Sequence, residues 1–277
     1  MATIELRRLS KVFKAGFRGE RDVHALSSVS FTVRHGELTC LVGPSGCGKT
    51  TILRIIAGLE QPTSGVVLLD GKSIIAPSRD CGMVFQEFAL LPWRTVLENI
   101  ELGPEIQGVA RETRRKVADH YLQLVGLRGF ENKYPRELSG GMKQRVAIAR
   151  SLANDPKVLL MDEPFGSLDA QTRNIMQEEL LDIWSKTGKT IVFVTHSVDE
   201  AVYLADRVVL LTARPASVRE IFEVRLPRPR DRLHYEFMNM RAEILTALRE
   251  EVKQEKQVDP ESKVDEGAVQ RRIEADH

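Results

Sequence analysis

The octapeptide GPSGCGKT, residues 43–50, restricts this chain more than any other stretch. It stands between the apolar run LTCLV and the helical-period segment TTILRIIAGL, so it must join a strand to a helix. Gly43 and Gly48 allow the backbone to wrap an anion. The N–H groups from Ser45 to Thr51 then point inward, which makes Gly43, Pro44, Ser45, Gly46, Cys47, Gly48, Lys49, Thr50 and Thr51 the candidate phosphate cradle. Lys49 would reach the β- and γ-phosphates of a nucleoside triphosphate, and the Thr50 hydroxyl would ligate Mg²⁺. A chain built around this loop is an α/β protein with the phosphates at the end of a strand.

Phosphoryl chemistry also needs a carboxylate at the metal. VLLMDEP is a strand pattern ending in Asp162, which would stand beside the Mg²⁺ held by Thr50. Glu163 follows directly and is free to act as general base or to orient the attacking water. FVTHSVDEA puts His196 at the end of another apolar strand, the edge of an α/β sheet where ligands sit, and predicts a γ-phosphate contact. Gln86, just after GMVF, is also at a strand end, where its amide would reach Mg²⁺ or the lytic water.

Texture along the chain places these residues in one architecture. Residues 1–42 hold short strand-like runs, and SGVVLLDG and CGMVFQE read as two more. From about residue 87 the period becomes helical, through VLENIELG, ETRRKVADHYLQLVGL and RVAIARSLA. KVLLMDEP and TIVFVTHS are nearly continuous apolar runs, as in parallel strands buried on two faces, with the helix RNIMQEELLDIWSKTG between them. The reading is a P-loop NTPase core with a mixed sheet, interrupted by a helical subdomain over about 87–154. The core unit is expected to run through residue 226. LPRPRDR then breaks regular structure, YEFMNMRAEILTALREEV forms one amphipathic helix, and the polar end of 227–277 has the composition of a disordered tail.

Composition removes several alternatives. A net charge of +1 offers no overall attraction to nucleic acid. No run approaches the roughly twenty apolar residues of a membrane span, and the N-terminus lacks signal-peptide features, which points to the cytoplasm. Cys40, Cys47 and Cys81 have no CxxC spacing and are expected to be reduced thiols in or near the core.

A second glycine-led helix start, LSGGMKQR at 138–145, is unexplained by the first loop alone. Together, GPSGCGKTT, Gln86, LSGGMKQR, LLMDEP, SLD and His196 resemble the nucleotide-binding subunit of an ATP-binding cassette (ABC) transporter. They match in order its Walker A loop, Q-loop, signature, Walker B, D-loop and switch histidine. The finer segments LLPWRTVLENI, EPFGSLDAQTR, VTHSVDEAVYLADRVVLLTARP and LPRPRDR resemble the nitrate, sulfonate and taurine import branch.

The resemblance implies that ATP with Mg²⁺ is hydrolysed between two subunits packed head to tail. Ser139, Gly140 and Gly141 of one would close over the ATP in the other's P-loop, with Asp169 at the seam. Met142 stands where many relatives have Gln. The adenine platform is Phe13 or, inside a longer loop, Phe17, with a plain core role open to Phe13. The implied assembly is a homodimer, or a dimer with a paralogous ATPase subunit, on two membrane permease subunits. It would lie peripherally on the cytoplasmic face of the inner (plasma) membrane, served by an external solute-binding protein and without nucleic acid. Phe88, Leu90 and Trp93 in EFALLPWRT are the expected permease dock.

The rival reading is a non-transport ATPase of the same fold, acting in DNA repair or translation. Repair versions insert a long coiled coil between P-loop and signature, yet Ser139 follows Lys49 by only 90 residues. Translation versions usually carry two cassettes, and this chain carries one.

Overall fold

The computed structural model describes residues 2–15 and 21–258, the side chains of 254–258 excepted. Phe17 and the polar tail beyond Val258 lie outside the described residues.

The strands at the N-terminus divide between two sheets. β1 (Ile4–Phe13), β2 (Val23–Val33), β4 (Ser64–Leu69) and the short β5 (Lys72–Ser73) make an antiparallel sheet in the order β2-β1-β4-β5. β3 (Leu38–Val42) joins instead a six-stranded sheet with β6 (Cys81–Val84), β7 (Val158–Asp162), β8 (Thr190–Val194), β9 (Arg207–Leu211) and β10 (Val218–Glu223), in the order β10-β9-β3-β8-β7-β6. All its pairings are parallel except β9 with β10, so the mixed sheet expected of the core is present.

The apolar runs are continuous because both faces of this sheet are covered. Along β7, Leu159 and Met161 face one core while Val158 and Leu160 face the other. Along β8, Ile191 and Phe193 alternate in the same way with Val192 and Val194. Successive side chains of a strand point to opposite faces, so a strand with two covered faces is apolar on both, with buried Thr39, Asp162, Thr190 and Arg207 the polar residues of β3, β7, β8 and β9. Each fully buried side chain of this kind contributes about 1.5–3 kcal/mol. The second face packs on α1 (Lys49–Ile56) and the antiparallel sheet through Ile52, Leu53, Ile4 and Leu6.

The other face carries the helices. α2 (Val96–Ile106), α3 (Arg111–Leu124) and α4 (Gly140–Leu152) all fall between β6 and β7, where the helical period begins. α5 (Ala170–Thr187) connects β7 to its parallel neighbour β8, as read from the sequence. Sequence reasoning passed over α6 (Val198–Leu204), β9 and β10. β9 lies directly beside β3 and completes the centre of the sheet. α7 (Tyr235–Val258) follows LPRPRDR, whose Arg230 is buried. That guanidinium donates to the carbonyls of Val202, Tyr203 and Ala205, satisfying the end of α6. Burial pushes its pKa down to about 10. Cys40 and Cys47 are buried and Cys81 is half-buried. Burial raises the Cys81 thiol to about 11 and also pushes the Cys40 thiol well above its ordinary value.

Candidate functional site

Strand order assembles the site. β3, β8 and β7 are consecutive in the sheet, so their C-terminal ends bring together three segments far apart in sequence. Loop 43–48 leaves β3 and turns into α1 at Gly48, whose φ of 115° is open to glycine alone at low cost. A Cβ at Gly48 would also lie 2.8 Å from Leu26 Cδ2. Lys49 is buried, and its Nζ donates to the Gly43 and Pro44 carbonyls at 2.9 and 2.8 Å. The ammonium is therefore held at the loop by neutral acceptors, which an anionic phosphate oxygen outcompetes.

Thr50 Oγ1 donates to Asp162 Oδ1 at 2.9 Å across 112 residues of sequence. This is the pair expected at Mg²⁺, and two hard oxygen donors suit it. Asp162 is almost fully buried. Burial raises its pKa, the Thr50 hydrogen bond opposes the rise, and the neighbouring Glu163 charge adds to it. A carboxylate so placed gains from a cation. Among the described residues no cluster of three or more His, Cys, Asp or Glu side chains forms a self-sufficient metal site.

Glu163 departs from ordinary strand geometry. Its φ is 43°, a left-handed conformation uncommon for a non-glycine residue and concentrated at functional sites. Its N–H donates to Val194 O of the neighbouring strand at 3.0 Å, which sets the backbone. Its Oε2 lies 3.0 Å from His196 Nδ1. Glu163 and His196 line a cavity of about 10 Å³ together with Phe165, Arg173 and Glu200, close to the space for one water molecule. His196 is well exposed beyond this contact.

Gln86 lies two residues past β6, the strand beside β7. It is exposed and makes no side-chain hydrogen bond among the described residues, so it flanks the Asp162 end without touching it. The segment after it is tightly held. Buried Asn99 accepts from Leu91 N–H and donates to the carbonyls of Leu91, Arg94 and Thr95, while Arg150 donates to those of Phe88 and Ala89. The three expected docking residues separate here. Phe88 and Leu90 pack against the core, and Trp93 is 71% exposed.

Ser139 caps α4, its Oγ accepting from Met142 N–H at 3.3 Å, and it is exposed. The Gly140 and Gly141 N–H groups make no backbone hydrogen bond among the described residues, as is general for the first turn of a helix. Gly141 itself is buried against α5, where a Cβ would approach Thr172 Cγ2 to 3.0 Å. Asp169 caps α5 by accepting from Thr172 N–H at 3.0 Å, so the two helix starts are neighbours. Among the described residues no side-chain hydrogen bond or ion pair links 139–142 to loop 43–50. Phe13 closes β1, 39% exposed, with the Lys11 ammonium 4.8 Å over its ring.

Sequence reasoning missed Arg150 and Arg173. Arg173 donates to the carbonyls of Phe165 and Leu168 and shapes the turn after Glu163. Their positions in helical stretches carry no signal, because their partners are backbone carbonyls brought near only by folding.

A phosphate loop ending the central strand, a hydroxyl–carboxylate pair and a second carboxylate on a strand-end histidine define a P-loop nucleoside triphosphatase. A family model described as ABC transporter matches residues 26–166. An uncharacterised ABC transporter ATP-binding protein of Methanocaldococcus jannaschii is 56% identical over 90% of this chain and 92% of its own. A nitrate import ATP-binding protein of Synechocystis is 51% identical over 81% of this chain and 83% of its own. An aliphatic sulfonates import ATP-binding protein of Bacillus cereus is 44% identical over 88% and 94%. The dimeric structure of a bacterial ABC transporter cassette superimposes with a TM-score of 0.69 at 37% identity, covering 81% of this chain and all of that one. The same cassette after hydrolysis, with ADP and Pi, gives 0.68 at 36% over the same shares. The chain belongs to the ABC transporter family and is an ATPase subunit of it.

Proposed function

We propose that this ATPase energises import of a small anionic solute, of the nitrate, sulfonate or taurine kind, through two separate membrane permease subunits. One observation supports the reading most: the pairs Thr50–Asp162 and Glu163–His196 stand at neighbouring strand ends in a chain that aligns over more than four fifths of its length with nitrate and sulfonate import subunits. No helix among the described residues is long and apolar enough to cross a membrane, consistent with pore-forming partners on other chains.

In this reading Lys49 moves from its loop carbonyls to the β- and γ-phosphates, and the N–H groups of residues 45–51 hold the polyphosphate. Thr50 and Asp162 would hold Mg²⁺, with Gln86 joining it or the attacking water; when bound, the ion offsets phosphate charge. Glu163 orients a water and accepts its proton, and His196 contacts the γ-phosphate while buttressing Glu163. Phe13 stacks on adenine. Ser139 and the N–H groups of Gly140 and Gly141 close over the nucleotide of a second subunit, identical or paralogous. Residues 1–226 serve as the ATPase unit and 227–277 as an appendage. The helical part over 87–154 meets the permeases at the cytoplasmic face, with Trp93 in the dock, and an external binding protein supplies the solute.

The test is deletion of the gene followed by uptake of labelled nitrate, taurine and an alkanesulfonate, with complementation by wild type and by Glu163→Gln. Loss of one uptake activity restored only by wild type is expected. Normal uptake of all three, with the chain co-purifying with ribosomes or DNA, would return the non-transport reading.

A further inference from the structure

The turn between β9 and β10 reaches the phosphate loop from outside. Arg214, in that turn, donates from both Nε and Nη2 to the carbonyl oxygen of Gly46, at 3.1 and 2.9 Å across 168 residues of sequence. Among the described residues its guanidinium has no carboxylate partner. The turn beneath it is braced on three sides. Thr212 N–H donates to Ser217 O at 3.0 Å, and Ser217 N–H donates to Thr212 Oγ1 at 2.9 Å. Ala216 bonds to β2, its N–H to Ala25 O and its carbonyl to Ser27 N–H. On the third side Ala213 N–H donates to Glu251 Oε2 of α7, and Glu251 also pairs with Arg219 at 2.6 Å.

The Gly46 carbonyl shares a peptide with the Cys47 N–H. That unit is planar and trans, so the two groups point to opposite sides and turning one turns the other. Gly46 has φ 72° and no Cβ, which leaves little steric resistance to a flip of this peptide. Cys47 N–H and Lys49 Nζ converge on Pro44 O, at 3.3 and 2.8 Å, so both already face the loop interior. A charge-assisted hydrogen bond on the outer carbonyl is the strong kind and opposes the flip.

We propose that Arg214 is a positioning residue for the nucleotide: it clamps the Gly46 carbonyl, keeps the Cys47 N–H turned toward the phosphates, and receives its own support from α7 through Glu251. The inference rests on the reading that the polyphosphate lies in loop 43–50. It gives α7 an indirect hold on nucleotide affinity, through Glu251, the 212–217 turn and Arg214.

Calorimetric ADP and ATP binding to the full chain, beside steady-state hydrolysis, tests it. Arg214→Ala is expected to weaken both nucleotides about tenfold and to raise KM alike, the scale of one hydrogen bond from a charged donor. Its kcat and the thermal midpoint of the nucleotide-free protein should stay near wild type. Arg214→Lys, which keeps a charged donor, should recover much of the loss. Glu251→Gln should weaken binding less, and the Arg214→Ala/Glu251→Gln double variant should be no weaker than Arg214→Ala, because one residue acts through the other. Unchanged affinity in Arg214→Ala while Lys49→Ala loses binding overturns the clamp and leaves the phosphate-loop reading standing. Unchanged affinity in both overturns that reading itself. A fall in kcat at constant KM, additive losses in the double variant, or a lowered midpoint that lysine does not restore also overturns it.

Discussion

Glu163→Gln isolates the chemical step. The amide keeps the volume of the side chain and an oxygen 3.0 Å from His196 Nδ1, but it cannot take a proton. The side chain is about a quarter exposed, so its neutralisation has little effect on the fold. The backbone strain at φ 43° is shared by both residues and cancels in the comparison. What is removed is general-base or water-orienting help, about 10²- to 10⁴-fold in rate, or about 2.7–5.4 kcal/mol of barrier. The assay is phosphate release at saturating ATP and Mg²⁺, with ATP affinity and thermal midpoint measured on the same preparation. Turnover should fall by at least a hundredfold, affinity should stay within about twofold, and the midpoint should move by no more than about 2 °C. The variant should also accumulate as an ATP-bound dimer in size-exclusion chromatography. Turnover within about threefold of wild type would remove Glu163 from the role, and a matching loss of affinity would make it a binding residue instead.

Ser139→Ala should cost α4 about 1 kcal/mol through the lost cap and weaken ATP-driven dimerisation, while ATP binding to the monomer stays normal. Sedimentation with and without ATP checks this, and it is a cleaner probe than a charge at Gly141, which would press on Thr172. Phe13→Ala should weaken ATP about 5- to 150-fold but leave inorganic triphosphate unaffected, since only base stacking is lost; competition binding separates the two. Burial raises the Glu200 carboxyl, against hydrogen bonds from Thr195 and Gln177 that lower it. A raised acid penalises the fold once ionised, so wild-type stability should decline as pH rises from the unfolded carboxylate range through the folded value. Glu200→Gln should therefore gain in thermal midpoint relative to wild type more at pH 8 than at pH 4.

Some of this was open to reading from the sequence because short-range geometry decides it. The strand–loop–helix at 43–50 follows from glycines and a lysine beside an apolar run, and strands covered on both faces show as nearly continuous apolar runs. The start of α4 was legible in its glycines, whereas the caps that Ser139 and Asp169 place on α4 and α5 came only with the structure. Glu163 and His196 were legible as polar residues at the ends of apolar strands, and the resemblance then placed both among the motifs of one family.

Folding decided the rest. That Thr50 meets Asp162, and Glu163 meets His196, depends on β3, β8 and β7 being neighbours, and strand order leaves no mark on any one strand. EFALLPWRT is equally apolar at Phe88, Leu90 and Trp93. Only the packing of the helices beneath it sends two inward and leaves the tryptophan exposed. β9 and β10 went unread, and with them Arg214, whose partner is a backbone carbonyl that belongs to every residue alike. A side chain's own chemistry is written where it stands. Which carbonyl it will find is set by the long-range pairing of strands, and that exists only in the folded chain.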